Sequence, residues 1–325
     1  MKPSSTLHHL VRNLALAACA LCGAAAQAQT PLRVILPNGA GSGIDVIVRT
    51  AQSALSKALG DQPVVIENLP AAGGIPGTTA IVRAAPDGNT MGMVSNNFAV
   101  APSVYKKLPF DPVKDITPIV VVGATPFVMV VNPQKVSAKT ARELQAFLKA
   151  KPGVYNYASS GNGTIIHLAG AMFVDGLGAD LKHIPYKAVG PMITDLISGQ
   201  VDLGAVALPA VQAHLASGAL RAIGVMGRSR LASLPNLPTL VEQGLPDVDV
   251  EGWFAFIGPA GLSAANVRRL HDAVVAAYND PVVKAAMAKQ ENVINPTTSE
   301  AAGQFMRSEQ DRFARLAAKI GLQPD

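Results

Sequence analysis

Two short loops carry residue types whose spacing could do chemistry. One is Pro37-Asn38-Gly39-Ala40-Gly41-Ser42-Gly43, which follows the apolar run Leu32–Leu36 and leads into Ile44 and Asp45. The other is Ser159-Ser160-Gly161-Asn162-Gly163-Thr164, which follows Val154-Tyr155-Asn156-Tyr157 and opens into an apolar run through Phe173, with His167 near its start. Small residues between a strand and a helix leave backbone N–H groups pointing outward. The positive end of the helix dipole adds to them, so such a loop suits an anion. A further small-residue loop, Ala71-Ala72-Gly73-Gly74, and the polar run Ser95-Asn96-Asn97 also follow strand-like segments. Hydroxyls, amides and backbone N–H groups hold a carboxylate without a full countercharge. The first two loops are therefore expected to face each other across a cleft and to hold a small acidic solute.

Other chemistries meet obstacles. Gly39, Gly41 and Gly43 follow a strand and open a helix, and Glu67 ends the next strand, where a ribose-binding acid would sit. This is a partial dinucleotide fingerprint, but its third glycine comes one residue early for G-x-G-x-x-G. The second Gly-rich loop directly after Glu67 has no use in that scheme. No G-x-S-x-G is present, and His167 lies a helix turn or more past Ser159 and Ser160, so no catalytic residue is assigned. His167, His183, His214 and His271 are dispersed and lack metal-ligand spacing; no metal or cofactor is expected. Asp45 and Arg49 stand i,i+4, either as a salt bridge or beside the ligand loop. Lys187 after Tyr186 is either solvated or placed to meet a second carboxylate, and Trp253 is either core or a stacking wall.

These loops need elements to position them. Ile44, Ile47, Val48, Ala51, Leu55, Ala58 and Leu59 recur at helical spacing until Gly60. Strands are predicted at Pro63–Asn68 and Thr90–Val94, with a helix between them running to Ala85. This βαβαβ order predicts a parallel sheet with ligand loops at the carboxyl ends of its strands. The apolar run Ile119–Val131 predicts a strand crossing between two lobes, and Gly252–Ile257 predicts the return. Between them the scheme repeats: helices over 141–150, 191–198 and 210–216, and strands at Tyr157, 181–187, 201–206 and 220–225. Two helices, about 263–278 and 299–320, are expected to close the chain.

The chain has 325 residues and a formal net charge of +5. It is long enough for a large core and two lobes. Lys2, His8, His9 and Arg12 precede an apolar stretch from Leu14 to Ala26, and Ala26-Gln27-Ala28 is an A-x-A site. Residues 1–28 are read as a signal peptide cleaved before Gln29. Leu16-Ala17-Ala18-Cys19 resembles a lipobox, so lipid anchoring at Cys19 is a minor alternative. Cleavage removes Cys19 and Cys22, the only two cysteines. It leaves a net charge of about +3 with no basic stripe, which argues against a nucleic-acid partner. No later apolar run approaches the ~20 residues of a membrane span.

Taken jointly, the motifs resemble the Bug-type periplasmic substrate-binding receptors of tripartite tricarboxylate transporters, over about residues 31–325. They are Pro37-x-Gly39 to Asp45 with Arg49; Glu67-Asn68 through Gly73-Gly74-Ile75-Pro76-Gly77; Ala85-Pro86-Asp87-Gly88; and Phe110-Asp111-Pro112. Further along come Tyr157-Ala158-Ser159-Ser160-Gly161-x-Gly163-Thr164-x-x-His167; Pro185-Tyr186-Lys187; Asp195-Leu196-x-x-Gly199-x-Val201-Asp202; Leu237-Pro238-Thr239; and Trp253.

The resemblance implies an α/β fold of the two-lobed, type II-like periplasmic-binding-protein (Venus-flytrap) kind, with two crossing strands at the hinge. Lobe 1 would comprise 29–130 and 253–325, and lobe 2 would comprise 131–252. It implies a periplasmic, monomeric, non-enzymatic receptor that closes on a di- or tricarboxylate, acidic amino acid or aromatic acid and delivers it to membrane permease components. An exported dinucleotide enzyme and a sensor feeding a signalling partner are the alternatives. The family's ligand loops correspond here to Pro37–Asp45, Ala71–Gly74, Ser95–Asn97 and Ser159–His167. Within them Pro37, Asn38, Gly39, Ala40, Gly41, Ser42 and Asp45, then Ala72, Gly73 and Gly74, then Ser95 and Asn96, and then Ser159, Ser160, Gly161, Thr164 and His167 are expected to contact the ligand. Lys187 and Val206 are added to this set. Ala188 stands where the family usually has Gly, and Val206 and Ala207 where it often has polar residues. If these line the pocket, its second-lobe side is apolar, which favours a monocarboxylate or aromatic acid over citrate.

Overall fold

The computed structural model describes residues 29–246 and 248–319. The predicted signal peptide and both cysteines lie outside the described residues. Strand β1 (Leu32–Leu36) has the predicted limits and runs parallel to β2 (Val64–Asn68) on one side and β3 (Thr90–Ser95) on the other. Its side chains divide between two cores. Leu32, Val34 and Leu36 enter a cluster with Ile44, Ile47, Val48, Ala51 and Leu55 of helix α1 (Gly43–Ala58), while Ile35 enters a second cluster on the other face. A strand covered on both faces reads as a continuous apolar run, which is why β1 was legible. A short 3-10 turn (Ala72–Gly74) and helix α2 (Ile75–Val82) connect β2 to β3. Helix α2 ends at Val82, three residues before the expected Ala85, with Arg83 as its C-cap.

The polar run after β3 is not a loop. Residues Asn96–Val104 form helix α3, which the sequence reading missed. Pro102 inside the helix disguised it, and its apolar residues show no amphipathic period.

Strand β4 (Ile116–Val131) is the spine of the molecule. From Ile116 to Pro126 it pairs antiparallel with β9 (Glu251–Pro259), which also pairs with β3. From Phe127 to Val131 it pairs instead with β7 (Leu203–Ala207), and from Val128 to Val131 with β8 (Arg221–Val225). The exchange of partners falls at Pro126–Phe127. The register slips between Pro118 and Val120 and between Val121 and Gly123, irregularities that let a long strand bend. The chain returns beside this point: Val250 N donates to Met226 O (2.7 Å), and Glu251 opens β9 opposite Pro126.

The second half-sheet repeats the parallel scheme, with β5 (Asn156–Ser159) between β6 (Lys182–Pro185) and β7. Helices α4 (Ala141–Lys149), α5 (Ile165–Leu177), α6 (Val189–Ser198) and α7 (Leu208–Ala216) accompany it. Among the described residues three helices, not two, follow β9: α8 (Ala264–Asn279), α9 (Pro281–Lys289) and α10 (Ser299–Lys319), with the two-residue β10 (Val293–Ile294) pairing with β4. The missed α9 carries a legible start signal. Asp280 caps it, accepting from Val282 N (2.9 Å) and Val283 N (3.3 Å), and Pro281 occupies its first turn. Among the described residues, no helix is long and apolar enough to cross a membrane.

Candidate functional site

The first loop is shaped by Asp45. Its Oδ2 accepts from Gly41 N (3.0 Å), and its Oδ1 accepts from Arg49 Nε (2.9 Å) and Asn68 Nδ2 (3.0 Å). Asn68 Nδ2 also reaches Asn38 O, and Asn68 Oδ1 accepts from Arg49 Nη2. Asp45 thus binds its own loop, and the i,i+4 pair with Arg49 is a bracing ion pair. Ser42 caps α1, its Oγ accepting from Asp45 N (3.3 Å). Glu67, the acid of the dinucleotide alternative, is held by two 2.9 Å bonds from Arg33, which keep its carboxyl below the usual range.

The second loop is shaped by Ser159 and Thr164. Ser159 is fully buried; its Oγ accepts from Gly161 N (3.1 Å), lies 3.1 Å from Gly161 O, and stands 2.7 Å from His183 Nε2. Thr164 Oγ1 donates to Gly161 O (2.9 Å) and accepts from His167 N (3.2 Å), which caps α5. His167 Nδ1 accepts from Gly163 N, so this ring turns back on its own loop. The rings of His167 and His183 stack with centroids 4.0 Å apart and planes 6° apart, and Tyr157 extends the stack. Burial, then the charge of His167, pushes His183 down to about 4. Asp45, Ser159, Thr164 and His167 thus spend their polar groups on holding the shape of their own loops. Among the described residues, no group of three or more His, Cys, Asp or Glu could hold a metal ion.

Between the loops lies a cavity of about 50 Å³. Its polar lining is Asn38, Ser42, Ser95, Asn96, Asn97, Thr125 and Ser160; its apolar lining includes Ile44, Phe127, Ile165, Ile166, Val189, Val206, Ala207 and Trp253. No charged side chain contributes. What converges instead is a set of helix starts. The first turns of α1, α3, α5, α6 and α7 all reach the cavity, through Ser42–Ile44, Ser95–Asn97, Ile165–Ile166, Val189, and Ala207 with Ala210. The first-turn amides of a helix have no intrahelical acceptor. At α3, α6 and α7 no side chain caps them. Besides the capped Asp45 N and His167 N, a third first-turn amide is engaged: Ile165 N donates to Asn97 Oδ1 (2.8 Å), joining α5 to α3. Asn96 ties α3 to β9, with its Nδ2 on Glu251 O and its Oδ1 accepting from Trp253 N, both at 3.0 Å. Trp253 Nε1 donates in turn to the buried Glu309 (2.9 Å).

Of the residues expected at the site, Asn38, Ser42, Ser95, Asn96, Ser160 and Val206 line this cavity. The others stand around it. Pro37 packs against Gly74 and Gly77, and Ala72 opens the 3-10 turn through Gly74. Gly73 lies against Tyr105, whose hydroxyl donates to Asn162 O. A Cβ on Gly39 would stand 3.0 Å from that of Ala188, and one on Gly43 would stand 3.0 Å from that of Ala207, so the two halves meet closely there. Ala40, Gly41 and Lys187 are exposed. Asp45, Ser159, Gly161, Thr164 and His167 shape the loops behind the lining. Sequence reasoning missed Thr125 and Phe127 of β4 and the first-turn residue Val189. Ile44, Asn97, Ile165 and Ile166 fall within the expected ligand loops but were not singled out there.

Comparison with known proteins gives one consistent picture. Residues 47–322 match the model of a family described as tripartite tricarboxylate transporter family receptor. A UPF0065 protein of Bordetella pertussis is 34% identical over 331 residues, covering all of both chains. The structure of the periplasmic binding protein BugD superposes with a TM-score of 0.87 at 30% identity, covering 91% of this chain and 99% of that one. MatC from Rhodopseudomonas palustris, with bound malate, superposes with a TM-score of 0.83 at 25% identity, covering 89% and 99%. The α/β fold is thus that of periplasmic binding proteins, as the sequence motifs implied.

Proposed function

Because the chain belongs to the tripartite tricarboxylate transporter receptor family, we propose that it captures a small carboxylate between its two halves in the periplasm and delivers it to the membrane components of such a transporter. The observation that carries this reading is the convergence of five helix first turns on one cavity that has no charged side chain. Backbone amides and helix dipoles stabilise a carboxylate without a countercharge to strip off on release. Asn38, Ser42, Ser95, Asn96 and Ser160 are the polar side chains assigned to the ligand, with the first-turn amides as its main donors. The malate bound to MatC is in keeping with this chemistry.

The size and lining of the cavity favour a compact acid. A volume of about 50 Å³ corresponds to a few water-sized spheres, which suits a short-chain acid better than citrate. Val206, Ala207, Ile166 and Phe127 offer an apolar body its contacts. Closure would turn about the β4 partner exchange at Pro126–Phe127 and the return at Val250–Glu251. A ligand held by both halves shifts the population toward the closed form.

The test is a thermal-shift screen of residues 29–325 against mono-, di-, tri- and aromatic carboxylates, acidic amino acids and NAD. A ligand at 100 times its dissociation constant adds ~2.7 kcal/mol, a clear rise in melting temperature. A rise with one carboxylate class supports the receptor reading and names the class. A response to NAD alone, or to none of the carboxylates, overturns it.

A further inference from the structure

Thr125 is 3% exposed, and its hydroxyl has no hydrogen-bond partner among the described residues. Such a group loses its water on folding and gains nothing in return. It stands in β4 one residue before the partner exchange, and it lines the cavity beside Phe127, Asn96 and Trp253. Two other orphaned polar atoms, Asn292 Oδ1 and Gln310 Nε2, belong to residues away from the cavity. The position is held by its neighbour across the sheet. Gly252 pairs with Thr125, and a Cβ there would come within 2.5 Å of Thr125 Cγ2, so the threonine methyl fills the space Gly252 leaves. With the methyl packed against β9, the hydroxyl is left as a covered, unpartnered polar group in the cavity wall.

We propose that Thr125 Oγ1 is a specificity-determining contact that reads an uncharged polar substituent, a hydroxyl or a carbonyl, on the carboxylate ligand. The inference rests on the solute-binding reading above and adds a second point of recognition to it. The helix first turns take the carboxylate; Thr125, on the crossing strand, takes the substituent. A hydroxyl both donates and accepts, so it suits either partner. A second carboxylate at this point would face one neutral donor among Phe127, Val206 and Trp253, a poor exchange for its hydration.

The experiment measures dissociation constants by calorimetry for lactate and propionate, 3-hydroxybutyrate and butyrate, and malate and succinate. It uses the mature wild-type chain, Thr125→Val and Thr125→Ser. In the tightest-binding pair the wild type is expected to favour the hydroxylated acid by about tenfold or more, the worth of one well-made hydrogen bond. Thr125→Val is expected to bring that ratio to about one while binding the plain acid at least as well, and Thr125→Ser is expected to keep the preference. A melting temperature for Thr125→Val at or above that of the wild type establishes that the variant folds. An unchanged ratio in Thr125→Val, or equal binding of both acids by the wild type, overturns the assignment of Thr125 and leaves the receptor reading standing. Failure of all six acids to bind also overturns the assignment, and the wider screen above then decides the receptor reading.

Discussion

The side-chain oxygen of Asn97 accepts a 2.8 Å hydrogen bond from the backbone amide of Ile165. One residue lies in the first turn of α3 and the other in the first turn of α5, so the bond closes the two halves over the cavity. It also fills one place that an anion would seek. Asn97→Asp puts a full negative charge there. The ligand-free protein is expected to keep or raise its melting temperature, since an acid at a helix N-terminus contributes ~0.3–1 kcal/mol. Affinity for the cognate carboxylate is expected to fall by about tenfold or more from like-charge repulsion. Titration calorimetry decides; an unchanged dissociation constant would remove the α5 terminus from the site.

Gly161 holds φ at +124°, and a Cβ there would lie 3.2 Å from Tyr186 O. Gly161→Val combines a branched side chain with a backbone region that strains it by ~1–3 kcal/mol. Loss of ligand binding with a retained far-ultraviolet circular dichroism spectrum is the expected result. Full affinity in this variant would show that the loop's shape is not required.

An orphaned hydroxyl costs stability. Thr125→Val removes it at nearly constant volume, so the ligand-free protein is expected to gain up to ~1–3 kcal/mol. Urea unfolding with an unchanged m-value would measure the gain. A loss of stability would mean that the hydroxyl has a partner in the folded protein.

Trp253 is the single tryptophan, and it joins the cavity wall to Glu309. Its fluorescence is expected to change when ligand binds, and Trp253→Phe is expected to lose ~1–3 kcal/mol by leaving the buried carboxylate of Glu309 short of a donor. Chemical denaturation of the variant checks the second point, and a ligand titration of the wild type checks the first.

His183 makes stability depend on pH. Its folded value, about 4, lies below the 6.5 of a free imidazole. Between those values the unfolded chain takes a proton that the native protein refuses. Stability is therefore whole above about 6.5 and falls as pH drops toward 4. The expected observation is a melting temperature that declines more steeply over this window in wild type than in His183→Gln. Equal slopes would show that the stacked imidazoles do not govern the acid limb.

The parts legible in the sequence were those where one period or one loop sufficed. Leu32–Leu36 and the Ile44–Leu55 stripe announced β1 and α1 because each buries a continuous apolar face. Ser42 and Thr164 were legible as members of the loops that open α1 and α5, and their roles as caps emerged from the structure. The lining of the cavity was harder to find. Thr125 and Phe127 sit in an apolar run where a wall residue and a core residue look alike, and only the exchange of strand partners tells them apart. Asp45, Ser159 and His167 were singled out for their chemistry, but they use it on the loop behind the cavity wall. The α3 helix stayed hidden because Pro102 and the polar start at Asn96 read as a turn.

The placement of β9 has a consequence for how the chain acquires its shape. Asn96 and Trp253, bonded to each other, are 157 positions apart in sequence. β9 lies between β3 and β4, so β1–β3 have no link to the spine of the sheet until Glu251–Pro259 arrives. The second half-sheet, by contrast, is complete once residue 225 is present. This connectivity predicts an order of assembly in which the middle of the chain consolidates first and its amino-terminal third waits for its carboxyl-terminal third. Such long-range closure is slow. It gives the polypeptide an extended lifetime as an incompletely assembled chain, the state in which a nascent protein is easiest to move.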